Sequence, residues 1–155
     1  MSRLLHGRGL SPGVAEGEAL VSMVPLAGWG GIDPMTGTII ESRSPLRGES
    51  VTGKVLVFPG AKGSSGLSGM FHIARLVGQV PAALVFNKMN TKIALGVVIT
   101  RVPAVTELDA DPLAVIHTGD RVRVDGEAGT VEILEVHGAG EHERARERDH
   151  ADLGI

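Results

Sequence analysis

Two short apolar runs, Lys54-Val-Leu-Val-Phe58 and Ala82-Ala-Leu-Val-Phe86, flank a segment whose apolar residues recur every three or four positions. Neither run alternates, which is the pattern of central strands covered on both faces. Between them, over residues 64–78, Leu67, Met70, Phe71, Ala74 and Val77 share one arc of a period of about 3.6 residues. His72, Arg75 and Gln79 share the opposite arc, and Gly78 to Pro81 supplies a stop. The pattern predicts a strand–helix–strand unit, a right-handed crossover between two parallel strands. The helix then opens at the carboxyl end of the first strand, where open α/β sheets bind ligands.

The remaining pattern is that of short strands and turns. Residues 1–17 are rich in glycine and polar groups, and Ala19-Leu-Val-Ser-Met-Val24 reads as a first strand. Residues 25–38 read as a long loop holding Trp29-Gly-Gly31 and the turn Asp33-Pro-Met-Thr-Gly37. Ile39 and Ile40 suggest a short strand, and residues 94–99 and 101–105 are apolar again. Arg121-Val-Arg-Val124 alternates cleanly, Asp125-Gly126 begins a turn, and Gly129 to Val136 returns, a C-terminal hairpin. The expected fold is mixed α/β: a small barrel-like sheet with a β-α-β crossover and that hairpin. Residues 1–137 form one domain in this reading; residues 138–155, with a nearly all charged stretch from Glu141 to Asp152, form a disordered tail or frayed helix with no assigned function.

Composition narrows the chemistry. A chain of 155 residues is long enough for one cored domain. A formal charge of -3 with no basic stripe makes nucleic acid an unexpected partner. There is no cysteine, so disulfides and thiolate metal sites are excluded within this chain. The six histidines have no metal-ligand spacing, and no metal is expected here. No apolar run suits a signal peptide or a membrane span, so the expectation is a cytoplasmic protein.

The candidate chemistry lies where the first central strand meets the helix. Lys62-Gly63-Ser64-Ser65-Gly66, with Ser68 beyond it, gathers an ammonium, hydroxyls and free backbone N–H groups. Such a loop suits a small anionic substrate, or a serine alkoxide formed beside one. The same serines also suit a helix N-cap. The spacing fits neither a P-loop nor a Gly-x-Ser-x-Gly elbow. Trp29, Gly30 and Gly31 are either a loop anchor or the rim of a site. Asn87 and Lys88 follow the second central strand, on the serine-loop edge if the strands are parallel; otherwise they are a solvated connection.

Several of these stretches occur in the order found in one family. Ala15-Glu-Gly-Glu-Ala-Leu-Val-Ser22, Trp29-Gly-Gly-Ile-Asp-Pro-Met-Thr-Gly37, Pro45-Leu-Arg-Gly48, Gly53-Lys-Val-Leu-Val-Phe-Pro59, Lys62-Gly-Ser-Ser65, Pro81-Ala-Ala83 and Gly119-Asp-Arg-Val-Arg-Val-Asp125 together resemble the small subunit, or swivel domain, of the aconitase X family. The resemblance covers roughly residues 5–136. It implies a swivelling β/β/α fold and the small chain of a two-chain hydro-lyase. It also implies a cysteine-bearing large subunit that carries an iron–sulfur cluster or mononuclear iron. A serine of the small chain would be the proton-abstracting base: Ser65 by likeness to the serine pair of aconitase, with Ser64 as rival because relatives place Cys at the second position. Lys62, Gly63, Gly66, Ser68, Trp29, Gly30, Gly31, Asn87 and Lys88 are the expected substrate contacts. This chain departs from the family loop with Lys62 for Arg, which loses a bidentate fork, and Leu67 for Gly. The first departure favours cis-3-hydroxy-L-proline as substrate over mevalonate 5-phosphate, the alternative. A non-catalytic swivel-fold interaction module is the non-enzyme alternative.

Overall fold

A computed structural model describes residues 3–27, 31–42, 44–62, 66–88 and 91–136. In chain order the strands are β1 (Arg3–His6), β2 (Arg8–Ser11), β3 (Val14–Val21), β4 (Leu26–Ala27), β5 (Ile32–Asp33), β6 (Thr38–Ile39), β7 (Val55–Phe58), β8 (Ala61–Lys62), β9 (Ala83–Phe86), β10 (Ala104–Thr106), β11 (Arg121–Asp125) and β12 (Thr130–Glu135). The helices are α1 (Gly66–Val77), α2 (Thr91–Thr100) and the single turn α3 (Pro112–Val115).

Eight strands form one sheet in the order β1-β12-β11-β3-β7-β9-β10-β2, and β4/β8 and β5/β6 form two small ladders. Its centre is parallel: β3, β7, β9 and β10 run alongside one another, with Phe58 opposite Phe86 and Phe86 opposite Thr106. Its flank is antiparallel, where β11 and β12 make the expected hairpin. The two edge strands, β1 and β2, are separated in sequence by Gly7 alone, so the sheet curls until its edges meet at one corner. Among the described residues no pairing joins β1 to β2, so the expected barrel-like sheet is curled without being closed by hydrogen bonds.

The two central runs lack alternation because each face has its own core. Leu56 and Phe58 of β7, with Leu84 and Phe86 of β9, pack against Met70 and Phe71 of α1 and Ile93 and Val97 of α2. Val55, Val57, Ala83 and Val85 point the other way, into a core with Leu5, Ile116, Val122, Val124, Val131 and Ile133. The Phe58 and Phe86 rings stack with centroids 5.3 Å apart. The expected helix ends in a Schellman motif: Gly78, at φ +80°, donates to the Arg75 carbonyl and Gln79 to that of Ala74. On its expected apolar arc Met70, Phe71 and Ala74 are buried, while Val77 in the last turn is exposed.

Three expectations change. The first strand is not Ala19–Val24: β3 begins at Val14, held by β11, and stops at Val21, where Ser22 turns its hydroxyl onto the Val24 carbonyl. The glycine-rich residues 1–17 contain two further strands, and the loop over 25–38 contains β4, β5 and the start of the β5/β6 hairpin. The apolar stretch 94–99 lies in a helix, α2, which makes a second crossover from β9 to β10. The charged tail, 138–155, lies outside the described residues. No helix among the described residues is long and apolar enough to cross a membrane.

Candidate functional site

Three parallel strands end at one edge. At the end of β7, Pro59 and Gly60 turn the chain into β8; at the end of β9, Asn87 and Lys88 turn it toward α2. The two turns are tied together, since the Lys88 amide donates to the Pro59 carbonyl at 3.0 Å. Gly60 lies directly against Lys88: a Cβ on Gly60 would stand 3.5 Å from the Lys88 carbonyl oxygen and 3.6 Å from its Cβ. Asn87 and Lys88 therefore do share an edge with the approach to the serine loop, as parallel strands require.

The second tie to that approach is β4. It pairs in parallel with β8, Leu26 opposite Ala61 and Ala27 opposite Lys62. The chain thus enters residues 28–30 and residues 63–65 from adjacent positions, heading the same way. Beyond the second of these segments α1 begins at Gly66, and Ser68 stands in its first turn. Beyond the first, Gly31 is buried, and its carbonyl accepts the amides of Ile40 at 2.9 Å and Glu41 at 3.3 Å. Trp29, Gly30, Gly63, Ser64 and Ser65 lie outside the described residues. Lys62 closes β8.

The side chain of Asn87 donates from Nδ2 to Asp111 Oδ1 at 3.1 Å. Asp111 is the N-cap of α3, where the same oxygen accepts the Leu113 amide at 3.0 Å. Asn87 is thereby anchored to the loop after β10. Lys88 extends an exposed side chain. Two residues absent from the sequence reading border this edge. Thr106, fully buried at the end of β10, donates from Oγ1 to the Phe86 carbonyl at 2.7 Å and the Asn87 carbonyl at 3.4 Å. Glu107, next along, holds φ at +53°. Asp111-Pro112 is a legible helix start; nothing in the pattern marks Thr106 as different from any strand threonine.

Among the described residues no group of three or more His, Cys, Asp or Glu could hold a metal ion. What this edge assembles is a set of strand ends and the start of α1, a helix of 12 residues whose leading N–H groups favour negative charge.

A sequence profile described as Aconitase X swivel domain matches residues 4–133. The chain belongs to that family. It is 43% identical over 130 residues to the phosphomevalonate dehydratase small subunit of Pyrococcus furiosus, covering 84% of this chain and 95% of that one. The corresponding Thermococcus kodakarensis protein is 41% identical over 131 residues, covering 84% and 96%. A crystal structure of Thermococcus kodakaraensis aconitase X in its holo-form superposes with a TM-score of 0.81 at 40% identity, covering 86% of this chain and 99% of that one. The swivel fold and the family expected from the motifs are those found. The chain is the small subunit of a dehydratase, in keeping with these relatives. The names they carry are those of the alternative substrate, phosphomevalonate, and not of a hydroxyproline.

Proposed function

We propose that this chain is the small subunit of a two-chain phosphomevalonate dehydratase, and that it supplies the base which takes a proton from the substrate carbon. The observation that carries the reading is the pairing of β4 with β8. It sets Ala27 beside Lys62, the residues that precede the Trp29 and serine segments in the chain. Support for the substrate comes from relatives that this chain covers almost from end to end. Hydroxyproline falls to second place. Lys62 in place of Arg does not disfavour a phosphate: a lysine forfeits the bidentate fork but still binds phosphate as a point charge.

In this reading the anionic substrate is held by Lys62 and Lys88 and by the amides of Gly63, Gly66 and the first turn of α1, with Ser68, Asn87, Trp29, Gly30 and Gly31 around it. Ser65 Oγ, or Ser64 Oγ, accepts the proton from carbon; the C–H electrons form the new double bond, the neighbouring C–O bond breaks, and the leaving hydroxide becomes water on taking up the proton that the serine removed, which returns the serine to its starting state. The helix terminus lowers the cost of the alkoxide, and an enclosed, dry cleft raises the value of each charge interaction. Enclosure is the part assigned to the large subunit docking over this edge. With no cysteine in the chain and no metal cluster among its described residues, this polypeptide does not fit an iron centre. An iron–sulfur cluster or mononuclear iron belongs to the large subunit in this proposal.

The test is to co-express this chain with the large subunit and assay dehydration of 5-phosphomevalonate beside cis-3-hydroxy-L-proline. Ser65→Ala is expected to lower kcat by about 10²- to 10⁴-fold with the two chains still co-purifying. Full activity in Ser65→Ala with an inactive Ser64→Ala would move the role to Ser64. Turnover of the hydroxyproline alone would restore the other substrate. A chain that purifies without any partner, and turns over neither compound, would support the interaction module.

A further inference from the structure

We propose that Thr106 is a positioning residue for Pro59 to Lys62, the backbone that leads into the serine loop, acting through the ends of three adjacent strands; the inference rests on the reading of that loop as the catalytic one. The strand ends are linked in series. The Thr106 hydroxyl at the end of β10 donates to the Phe86 carbonyl at 2.7 Å and the Asn87 carbonyl at 3.4 Å. The next residue along, Lys88, donates its amide to the Pro59 carbonyl at 3.0 Å. Gly60 then lies beside the Lys88 backbone, where an added Cβ would stand 3.5 Å from the Lys88 carbonyl oxygen, and β8 follows at once, with Lys62 leading to residue 63. The Asn87 side chain, bonded to Asp111, holds the same turn from the other side.

Packing alone does not call for a hydroxyl at this position. Thr106 is fully buried and follows Ala104 and Val105 in a strand where every side chain is buried. A valine fills the same volume, and burying a hydroxyl is costly unless it is bonded. Here its bonds go to the carbonyls of the residues at which β9 gives way to the turn. They fix the direction in which the chain leaves the sheet. A turn displaced by a fraction of an ångström at Asn87 moves Lys88, and Lys88 carries Pro59 and Gly60 with it. Small misplacements of this kind are expensive in turnover while leaving affinity largely alone.

Backbone amide spectra of the isolated chain decide the geometric claim without reference to any substrate. Thr106→Val is expected to shift the amide resonances of Gly60, Ala61 and Lys62 together with those of Asn87 and Lys88. It should also speed exchange of the Lys88 amide roughly tenfold. Thr106→Ser should restore both. Thr100→Val is the control: it removes an equally buried hydroxyl, one bonded to the Val97 carbonyl at 2.8 Å near the opposite end of α2, and should leave residues 60–62 unmoved. Perturbation confined to residues 86–88, or the same shifts in Thr100→Val, would overturn the proposal. In the two-chain enzyme, Thr106→Val should lower kcat on 5-phosphomevalonate on the order of 10- to 100-fold, with KM within about twofold and recovery in Thr106→Ser. An unchanged kcat would also overturn it. If the unmodified pair does not act on that substrate, the substrate reading fails, and the amide spectra still decide the positioning.

Discussion

Gly9 and Gly126 show how much of this fold turns on single residues that look interchangeable in the sequence. A Cβ on Gly9 would run into the carbonyl oxygen of Gly126, and one on Gly126 into the carbonyl oxygen of Ser11, with the Ala104 amide nitrogen 3.1 Å away. These are backbone-to-backbone approaches where β2 crosses the hairpin turn, so no side chain can swing aside. Gly48 presents the opposite case: its φ is +92°, yet nothing lies within 4 Å of its Cβ position. Gly126→Ala is therefore expected to cost at least about 3 kcal/mol through overpacking. Gly48→Ala should cost only about 1–2 kcal/mol through its left-handed backbone. Urea unfolding of both variants measures the difference, and a Gly48→Ala cost equal to that of Gly126→Ala would sink the distinction. Asp125-Gly126 is readable as a turn from the sequence; that β2 lies against it is not, because Gly9 and Ser11 stand at the other end of the chain. The candidate site divides in the same way. The lysine, the serines and the helix start form one local motif and can be read directly. Thr106 and Asp111 reach that edge only through tertiary pairing.

Among the elements, those with a strong period or a strong stop were legible and those without were not. β7, α1 and β9 are where the pattern puts them, because α1 has one apolar face and a glycine stop. In α2 Ile93, Gly96, Val97 and Thr100 are buried while Leu95 and Val98 are exposed, so apolar residues lie on both sides and the helical period disappears. β1 and β2 were missed because glycine and arginine occupy exposed edge positions in them. The β3–β11–β12 ladder, by contrast, alternates and carries a charged outer row. Glu16 Oε1 accepts from Arg121 Nε at 2.9 Å, its Oε2 lies 3.5 Å from Arg123, and Arg123 reaches Glu132 at 3.1 Å. The hydrogen bond from Arg121 is the main cause that holds the Glu16 carboxyl below its usual range, with the charges of Arg121 and Arg123 adding to it. A lowered carboxyl favours the folded state above its unfolded pKa, and that contribution is lost as pH falls through the folded value. Glu16→Gln should consequently melt below the parent protein at pH 7, by a small margin that added salt reduces. The two melting temperatures should converge in acid. A gap that widens on acidification would show that the row does not work through the Glu16 charge.

At the scale of the whole molecule, two cores back to back on a curled sheet explain how one short chain can present a rigid edge at the candidate site. Both faces of β7 and β9 are buried, so their carboxyl ends cannot tilt without disturbing one core or the other. The sheet is complete once β12 has paired with β1, a pairing that ends where Arg3 meets Ile133, and the family match ends at that same residue. Ile133 is also the last residue of the chain to enter a core among the described residues. Removing residues 138–155 should then leave the melting temperature within about 2 °C of the full chain. It should also leave turnover in the reconstituted pair unchanged. A drop of several degrees would mean that the charged tail packs on the swivel domain. Intact stability with lost turnover would give the tail a place against the large subunit instead. Neither outcome is expected from the pairing register, because among the described residues the last strand ends at Glu135 and both cores are filled by residue 133.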